Sequence, residues 1–495
     1  MMALLRSEWT KFRTVRGWLL AAAAAGAAIL ALGLYPGMQG SCGRHGPASE
    51  CVVPVSPTGV EVTDSFTFVH QPLTGDGRIT ARLAALSGRI PSYNGDLATD
   101  RAGLVPWAKA GLIIKANTSQ GSAYAAVMLT GGHGTRMQVN YTRDTAGTAD
   151  VGAGTPRWLR LTRTGGTITG EESADGSRWT TIGTATLADV PSTVEIGLFA
   201  TSPQFAETVA ASFGSTAAAS GPSEATATFD RIDRSGPWTT TVVGESPNGP
   251  RPGHAEPTAD GYAVTGSGDI APAVAGPAGI GTSLTQTLVG TFIGLVILVV
   301  VATMFVNAEY RRGLIRTTLA ASPRRGAVLA AKAAVAGGVA FGVGSFTAAV
   351  VIAVGPRVLR ASGTYVHAAT TATQLRLVAG TAVLLAVAAV LGLAIGTLLR
   401  RSAPAIATAV VLIVLPYLLA LTVLPAVAGD WLLRVTPAAA FAIQQATLRY
   451  HQVDNLYLPT TGYFPLPPWA GLAVLLAWTA VGLMLAALRL SRSDA

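Results

Sequence analysis

The 495 residues are half hydrophobic and only 12% charged, against roughly 25% charged in ordinary soluble domains. The net charge of +9 is unevenly divided: residues 52–284 hold 15 Lys/Arg against 20 Asp/Glu, and the remainder holds 20 against 6. The positive charge therefore lies beside apolar runs, as at the ends of membrane helices, and no nucleic-acid partner is expected.

The chain opens with Arg6, Lys11, Arg13 and Arg16, followed by an apolar run at 17–34. About 20 apolar residues cross a bilayer, so 17–34 is predicted as a first span within a 1–35 unit. A cleaved signal peptide is the competing reading. The following YPGMQGSC has no small-x-small cleavage site, which favours an uncleaved span. The loop 36–59 holds both cysteines of the chain, Cys42 and Cys51. A pair nine residues apart predicts a small disulfide loop in an oxidising compartment. Two thiols with His45 nearby do not fill a metal site.

From 60 to 235 the apolar period becomes two. Ile79, Ala81 and Leu83 alternate with polar neighbours, as do Met137, Val139 and Tyr141, and Val194, Ile196 and Leu198. Turn signals separate these runs: GDG at 75–77, GGHG at 131–134, GG at 165–166 and ADGS at 174–177. Many short strands with such turns predict an all-β sandwich. Glu171 and Glu172 are adjacent, so on a strand they face opposite ways. Trp107, Trp158 and Trp179 have two readings, core aromatics or platforms for sugar rings. The Gly/Pro-rich segment 236–283 is predicted as a linker, with YAVTGSGDIAP at 262–272 as a candidate last strand.

Five more apolar stretches follow at 284–306, 327–354, 377–399, 403–428 and 469–488. Arg311, Arg312, Arg316, Arg324, Arg325, Lys332, Arg400, Arg401, Arg489 and Arg492 fall with the N-terminal basic cluster on one side of the predicted bilayer. The positive-inside rule then places both termini in the cytoplasm and 36–283 outside. Arg357, Arg360 and Arg376 lie on the other side and conflict mildly with this. Pro416 and Pro425 interrupt the fifth span, as a hinge, a re-entrant segment or a simple helix end.

The loop NAEYRRGLIRTTLAASPRRG at 307–326 packs Glu309, Arg311, Arg312, Arg316, Arg324 and Arg325 around Leu314, Ile315 and Leu319. Such an element suits docking into a partner's groove; a positive-inside anchor with no partner is the alternative reading.

EYRRGLIRTTLAASPRR resembles the loop after the second span in type-2 ABC exporter permeases of high-GC bacteria. SEWTKFRTVRGWLL resembles their amphipathic N-terminal helix, and LRRSAPAIA and the closing LPPWAGLAVLLAWTAVGLMLAALRLSRSDA are similar to later parts of the same proteins. The resemblance implies a membrane domain over 1–35 and 284–495. It also implies a coupling helix around Glu309–Arg325 that contacts a separate ABC ATP-binding subunit, and a second permease copy or homologue. The large domain between the first two spans departs from that pattern. WAKAGLIIKANTSQGSAYAAVML and PRWLRLTRTGGTITGEESADGSRWTTIG resemble concanavalin A-like jelly rolls of the lectin and glucanase superfamily. The catalytic carboxylate run of its glucanases is absent from this sequence.

The expected fold is therefore multi-domain: an α-helical polytopic membrane domain of about six spans plus an all-β extracellular jelly roll. The expected location is the bacterial cytoplasmic membrane. No G-x-x-x-x-G-K-[ST] phosphate loop occurs, so no cofactor is expected on this chain and ATP would be bound by the partner. The later spans have no acidic residue at mid-membrane depth, which disfavours an ion-coupled carrier. The reading that results is an exporter permease for an amphiphilic substrate, not itself an enzyme. The alternatives are a membrane-anchored cell-wall glycan binder or sensor, and a membrane-bound glycan hydrolase.

Overall fold

A computed structural model describes residues 2–35, 53–90, 101–149, 151–188, 190–210, 216–244, 253–311, 313, 324–422 and 424–492. Cys42 and Cys51 lie outside the described residues.

The helical part begins with α1 (Met2–Thr14), which turns at Val15 into α2 (Arg16–Gly33). α3 (Thr291–Arg311), α4 (Arg325–Ala361), α5 (Thr371–Leu399) and α9 (Pro468–Arg492) are long and apolar enough to cross a membrane, as is α2. α6 (Ser402–Ile413) and α7 (Leu415–Thr422) together qualify as a sixth span, bent by 41°. The bend has a local cause. Pro416 has no N–H to donate, and its ring crowds the preceding turn. The short helix α8 (Ala426–Val435) follows Pro425. It leads to a buried 3-10 segment, Pro437–Gln444.

α5 is the centre of the bundle, packed against α3, α4 and α9. One apolar cluster includes Leu295, Leu298, Leu384, Leu385, Leu391 and Leu475. Glycines set the closest approaches. A Cβ on Gly471 would lie 2.1 Å from the Ala439 carbonyl oxygen, so only glycine lets α9 meet the 3-10 segment. Polar ties also cross between the helices: Gln444 Nε2 donates to Thr291 Oγ1 and Thr381 Oγ1, each at 3.1 Å. In hydrocarbon such bonds hold helices together where the hydrophobic effect does not.

The β domain consists of two antiparallel sheets. One has the order Thr180–Thr186, Thr167–Ser173, Arg157–Thr164, Gly77–Ile90, Glu224–Asp230, Gly261–Gly266, His254–Thr258. The other has the order Thr239–Val243, Phe66–Thr74, Thr193–Thr201, Lys109–Lys115, Tyr124–Thr130, Thr135–Val139, Arg143–Ala146. Leu83, Leu112, Val127, Leu161, Ile196 and Phe229 meet between them. Segment 236–283 therefore differs from a linker: Thr239–Val243, His254–Thr258 and Gly261–Gly266 are sheet strands. The candidate strand at 262–272 corresponds to Gly261–Gly266 and Ile270–Pro272; β-branched TTTVV also fits a pleated surface, a signal hidden by the surrounding Gly and Pro.

The outer face of the second sheet is covered as well. Strand Lys109–Lys115 turns Lys109, Ile113 and Lys115 away from the sandwich core. A two-stranded ribbon, Val62–Asp64 with Ile270–Pro272, covers that face. Lys115 Nζ reaches Asp64 Oδ2 at 2.7 Å, and Lys109 Nζ reaches Asp269 Oδ1 at 2.6 Å. Both lysines are fully buried. Burying a lysine is costly unless a paired charge and hydrogen bonds compensate, and each is matched by an aspartate of the ribbon region. These are the segments by which the chain enters and leaves the sandwich.

The sandwich is seated on the bundle by loops between spans. Trp107 N donates to Asp454 Oδ2 at 3.1 Å, and Gln452 Nε2 donates to the carbonyls of Tyr141 and Thr142 at 3.3 Å. His367 Nδ1 lies 2.6 Å from Glu61 Oε2, and its Nε2 lies 2.7 Å from the Ile280 carbonyl. The three arginines that conflict with the charge rule are used on backbone carbonyls. Arg357 Nη1 donates to Ala353, Arg360 Nη2 to Val366, and Arg376 to Ile443 and Gln445.

Candidate coupling site

At the bundle end remote from the sandwich, α1 lies across the ends of α3 and α4. Its sequence MALLRSEWTKFRT places Glu8 and Phe12 one turn apart, and these are its two buried residues. Phe12 meets Phe305 of α3 edge-on, with ring centroids 5.5 Å apart. Glu8 is completely buried and lies among three other charged groups. Lys332 Nζ of α4 donates to Glu8 Oε2 at 2.6 Å and to Glu309 Oε1 at 2.7 Å. Lys11 Nζ donates to Glu8 Oε1 at 2.7 Å and to Glu309 Oε1 at 2.8 Å.

Two carboxylates and two ammoniums thus form a closed, charge-balanced square across three helices. Desolvating each ion costs several kcal/mol. Every member has two oppositely charged neighbours, so the square tolerates burial as a unit and loses that tolerance when one member goes. Lys332 also sits 5.1 Å from the Phe305 ring centroid, a cation–π arrangement that adds to the attraction. Asn307, two residues before Glu309 in the same helix, is buried, and its side-chain amide has no hydrogen-bond partner among the described residues.

The six residues expected in the coupling loop are placed differently from one another. Glu309 is a member of the buried square. Arg311 ends α3 and Arg324 precedes α4, both exposed. Arg325 Nη1 donates to the Leu490 carbonyl at 2.7 Å and so ties α4 to the C-terminal turn of α9. Arg312 and Arg316 lie outside the described residues. Glu8, Lys11 and Lys332 were not singled out from sequence as a site; Lys11 and Lys332 counted only as positive-inside charges. Two signals were available: Lys332 is a lone charge inside AVLAAKAAVAGG, and Glu8 is the one acid among the N-terminal basic residues.

The three tryptophans do not converge. Trp107 is 3% exposed, 4.2 Å from the His133 ring and 5.3 Å from the Arg136 guanidinium carbon. Trp158 is half-buried against Gly176, and Trp179 is half-buried with the Arg160 guanidinium 4.0 Å over its ring. Glu171 and Glu172 point to opposite sides. Glu171 pairs with Arg160, while Glu172 accepts from Thr135, Thr148 and Arg157. Burial opposes ionisation of Glu172, but those donors outweigh it and hold its carboxyl below the usual range.

A bundle of apolar helices with a sandwich inserted between its first two spans defines a multi-pass membrane protein. The family model described as ABC-2 family transporter protein matches residues 125–495, and the chain belongs to that family, as a permease. No curated protein matches the chain. Among solved structures, a functionally unknown protein from Saccharomyces cerevisiae is 15% identical, covers 38% of this chain and 81% of its own, and has a TM-score of 0.22. The GH43 protein BlXynB from Bacillus licheniformis is 17% identical over 29% of this chain and 26% of its own, with a TM-score of 0.17. Sheep galectin-11 in complex with glycerol is 10% identical over 26% of this chain and 90% of its own, with a TM-score of 0.16.

Proposed function

We propose that this permease is the membrane subunit of an ATP-driven exporter, working with a separate ATP-binding subunit and a second permease. The observation that carries the reading is the charge square of Glu8, Lys11, Glu309 and Lys332, buried except at Lys11 on its rim. It binds α1 to the two helices that flank residues 312–323. A push on that loop by a nucleotide-driven partner would move α1, α3 and α4 together. Lys332 lies two turns into a 37-residue helix that runs the height of the bundle to the sandwich side. That helix is the rigid element that would carry such a displacement to the far face.

The proposed orientation puts the loop and both termini in the cytoplasm and the sandwich outside, in keeping with the Lys/Arg distribution. The substrate is amphiphilic, since the spans present few polar side chains. Cell-wall glycan remains a candidate ligand of the sandwich.

The test is gentle solubilisation of the full chain from its native membrane, followed by identification of what co-purifies. An ATP-binding subunit is expected, and it should be lost when Arg311, Arg312 and Arg316 are replaced together by Ala. Clean recovery of the permease alone, under conditions that preserve known exporter complexes, would count decisively against the reading.

A further inference from the structure

The C-terminal ends of α5 and α9 enclose an open groove of about 580 Å³ lined by Leu398, Arg400, Leu485, Leu488, Arg489 and Arg492. Leu485, Leu488, Arg489 and Arg492 repeat at helical spacing, so they share one face of α9. Leu485 and Leu488 are 46% and 45% exposed, on the outside of an apolar bundle. Above them stand guanidinium groups from both helices, and among the described residues no carboxylate lines the groove.

Basic residues often gather at a helix C-terminus because the dipole favours them there. Here two of the terminal carbonyls of α9 already accept from Arg325 Nη1, at 2.7 Å from Leu490 and 3.3 Å from Ser491. Arg400 holds the left-handed conformation at the end of α5, with φ of 58°, where glycine is the less strained choice. Its guanidinium carbon packs 5.4 Å from the Tyr310 ring centroid, which fixes it at the rim of the groove.

We propose that this groove binds one anionic phospholipid, with its phosphate among Arg400, Arg489 and Arg492 and its acyl chains along Leu398, Leu485 and Leu488. The pairing of charge with apolar surface selects the occupant. A soluble anion would gain nothing from the leucines, and a zwitterionic lipid would set its own ammonium against three arginines. Planar guanidinium groups suit phosphate oxygens, and basic pockets between spans are suited to lipid headgroups. The leaflet assignment, the inner one, rests on the orientation proposed above; the binding itself does not.

The test uses the full-length protein in nanodiscs of phosphatidylcholine and phosphatidylglycerol in equal parts. Lipids retained after extraction are counted by native mass spectrometry. A photoreactive residue at Leu488 reports what occupies the groove. Retention of one phosphatidylglycerol in preference to phosphatidylcholine is expected, unaffected by added inorganic phosphate. The Arg489→Gln/Arg492→Gln variant should lose about tenfold or more of that preference, at roughly a factor of five per surface arginine. Arg489→Lys/Arg492→Lys should keep most of it, which separates charge loss from misfolding. Equal retention of the two lipids by the unaltered protein, an undiminished preference in the double Gln variant, or labelling of a polypeptide by the probe would each overturn the proposal.

Discussion

Glu8 and Lys332 are 324 residues apart in the chain, yet their charged atoms meet at 2.6 Å in a site closed to solvent. The contact fixes the first helix to the bundle and makes both residues dependent on each other. Removing one partner of a buried pair is far more damaging than removing both. Lys332→Met should therefore lower stability by about 3–5 kcal/mol. Glu8→Gln/Lys332→Met, which leaves Lys11 facing Glu309, should recover much of the loss. Thermal unfolding in detergent measures both; a single variant as stable as the parent would refute the square as a structural unit.

At the seat of the sandwich, burial raises the Asp454 carboxyl above its ordinary value of 3.8, and the nearby Asp269 adds to the effect. A carboxyl with a raised folded value is easier to keep protonated in the fold than in the unfolded chain. Stability is then highest at acid pH and declines as pH rises from 3.8 through the folded value. Asp454→Asn keeps an acceptor for Trp107 N–H and carries no charge. It should match or exceed the parent in melting temperature at neutral pH, with the difference vanishing in acid. A variant less stable than the parent at neutral pH would show that the charge itself is needed.

Glu61 behaves oppositely. Burial opposes its ionisation, but hydrogen bonds from His367 and Tyr365 prevail and hold it below its ordinary value of 4.5. Its contribution is complete above 4.5 and disappears as pH falls through the lower folded value. Limited proteolysis in the 272–283 segment should accelerate on acidification, and Glu61→Gln should show the fast rate already at neutral pH. Indifference of the cleavage rate to this substitution would exclude Glu61 as a latch.

Gly471 lets α9 approach the Pro437–Gln444 segment. A methyl group there would lie 2.1 Å from the Ala439 oxygen and 2.8 Å from the Ala442 Cβ. The obstacle is backbone, which cannot rotate aside, so Gly471→Ala should destabilise by about 1–3 kcal/mol. Gly338, which has open space around it, is the control: Gly338→Ala should be neutral or slightly stabilising, since alanine is the better helix former. Equal melting temperatures for the two variants would disprove the close packing of α9.

The sequence by itself determined the two regimes of the chain. Apolar runs of about 20 residues and period-two strands are local properties, written in hydrophobic spacing, and they marked out α2, α3, α4, α5 and α9 and the sandwich strands around Ile79, Met137 and Ile196. The adjacency of Glu171 and Glu172 was likewise enough to put them on opposite faces. Tertiary structure decided which charges are buried. Lys332 and Lys11 look like topogenic cations, and Lys109 and Lys115 look like solvent-facing strand residues. Each instead meets a carboxylate supplied from a distant part of the chain: Glu8 for Lys332, Glu309 for Lys11, Asp269 for Lys109 and Asp64 for Lys115. A charge's local sequence carries no record of such a partner, because Coulomb attraction depends on distance in space and not along the chain. Beyond residue 236 the alternation at 262–272 was legible as a strand, while Thr239–Val243 and His254–Thr258 were not, because those short runs lie among Gly and Pro and are fixed by their sheet neighbours.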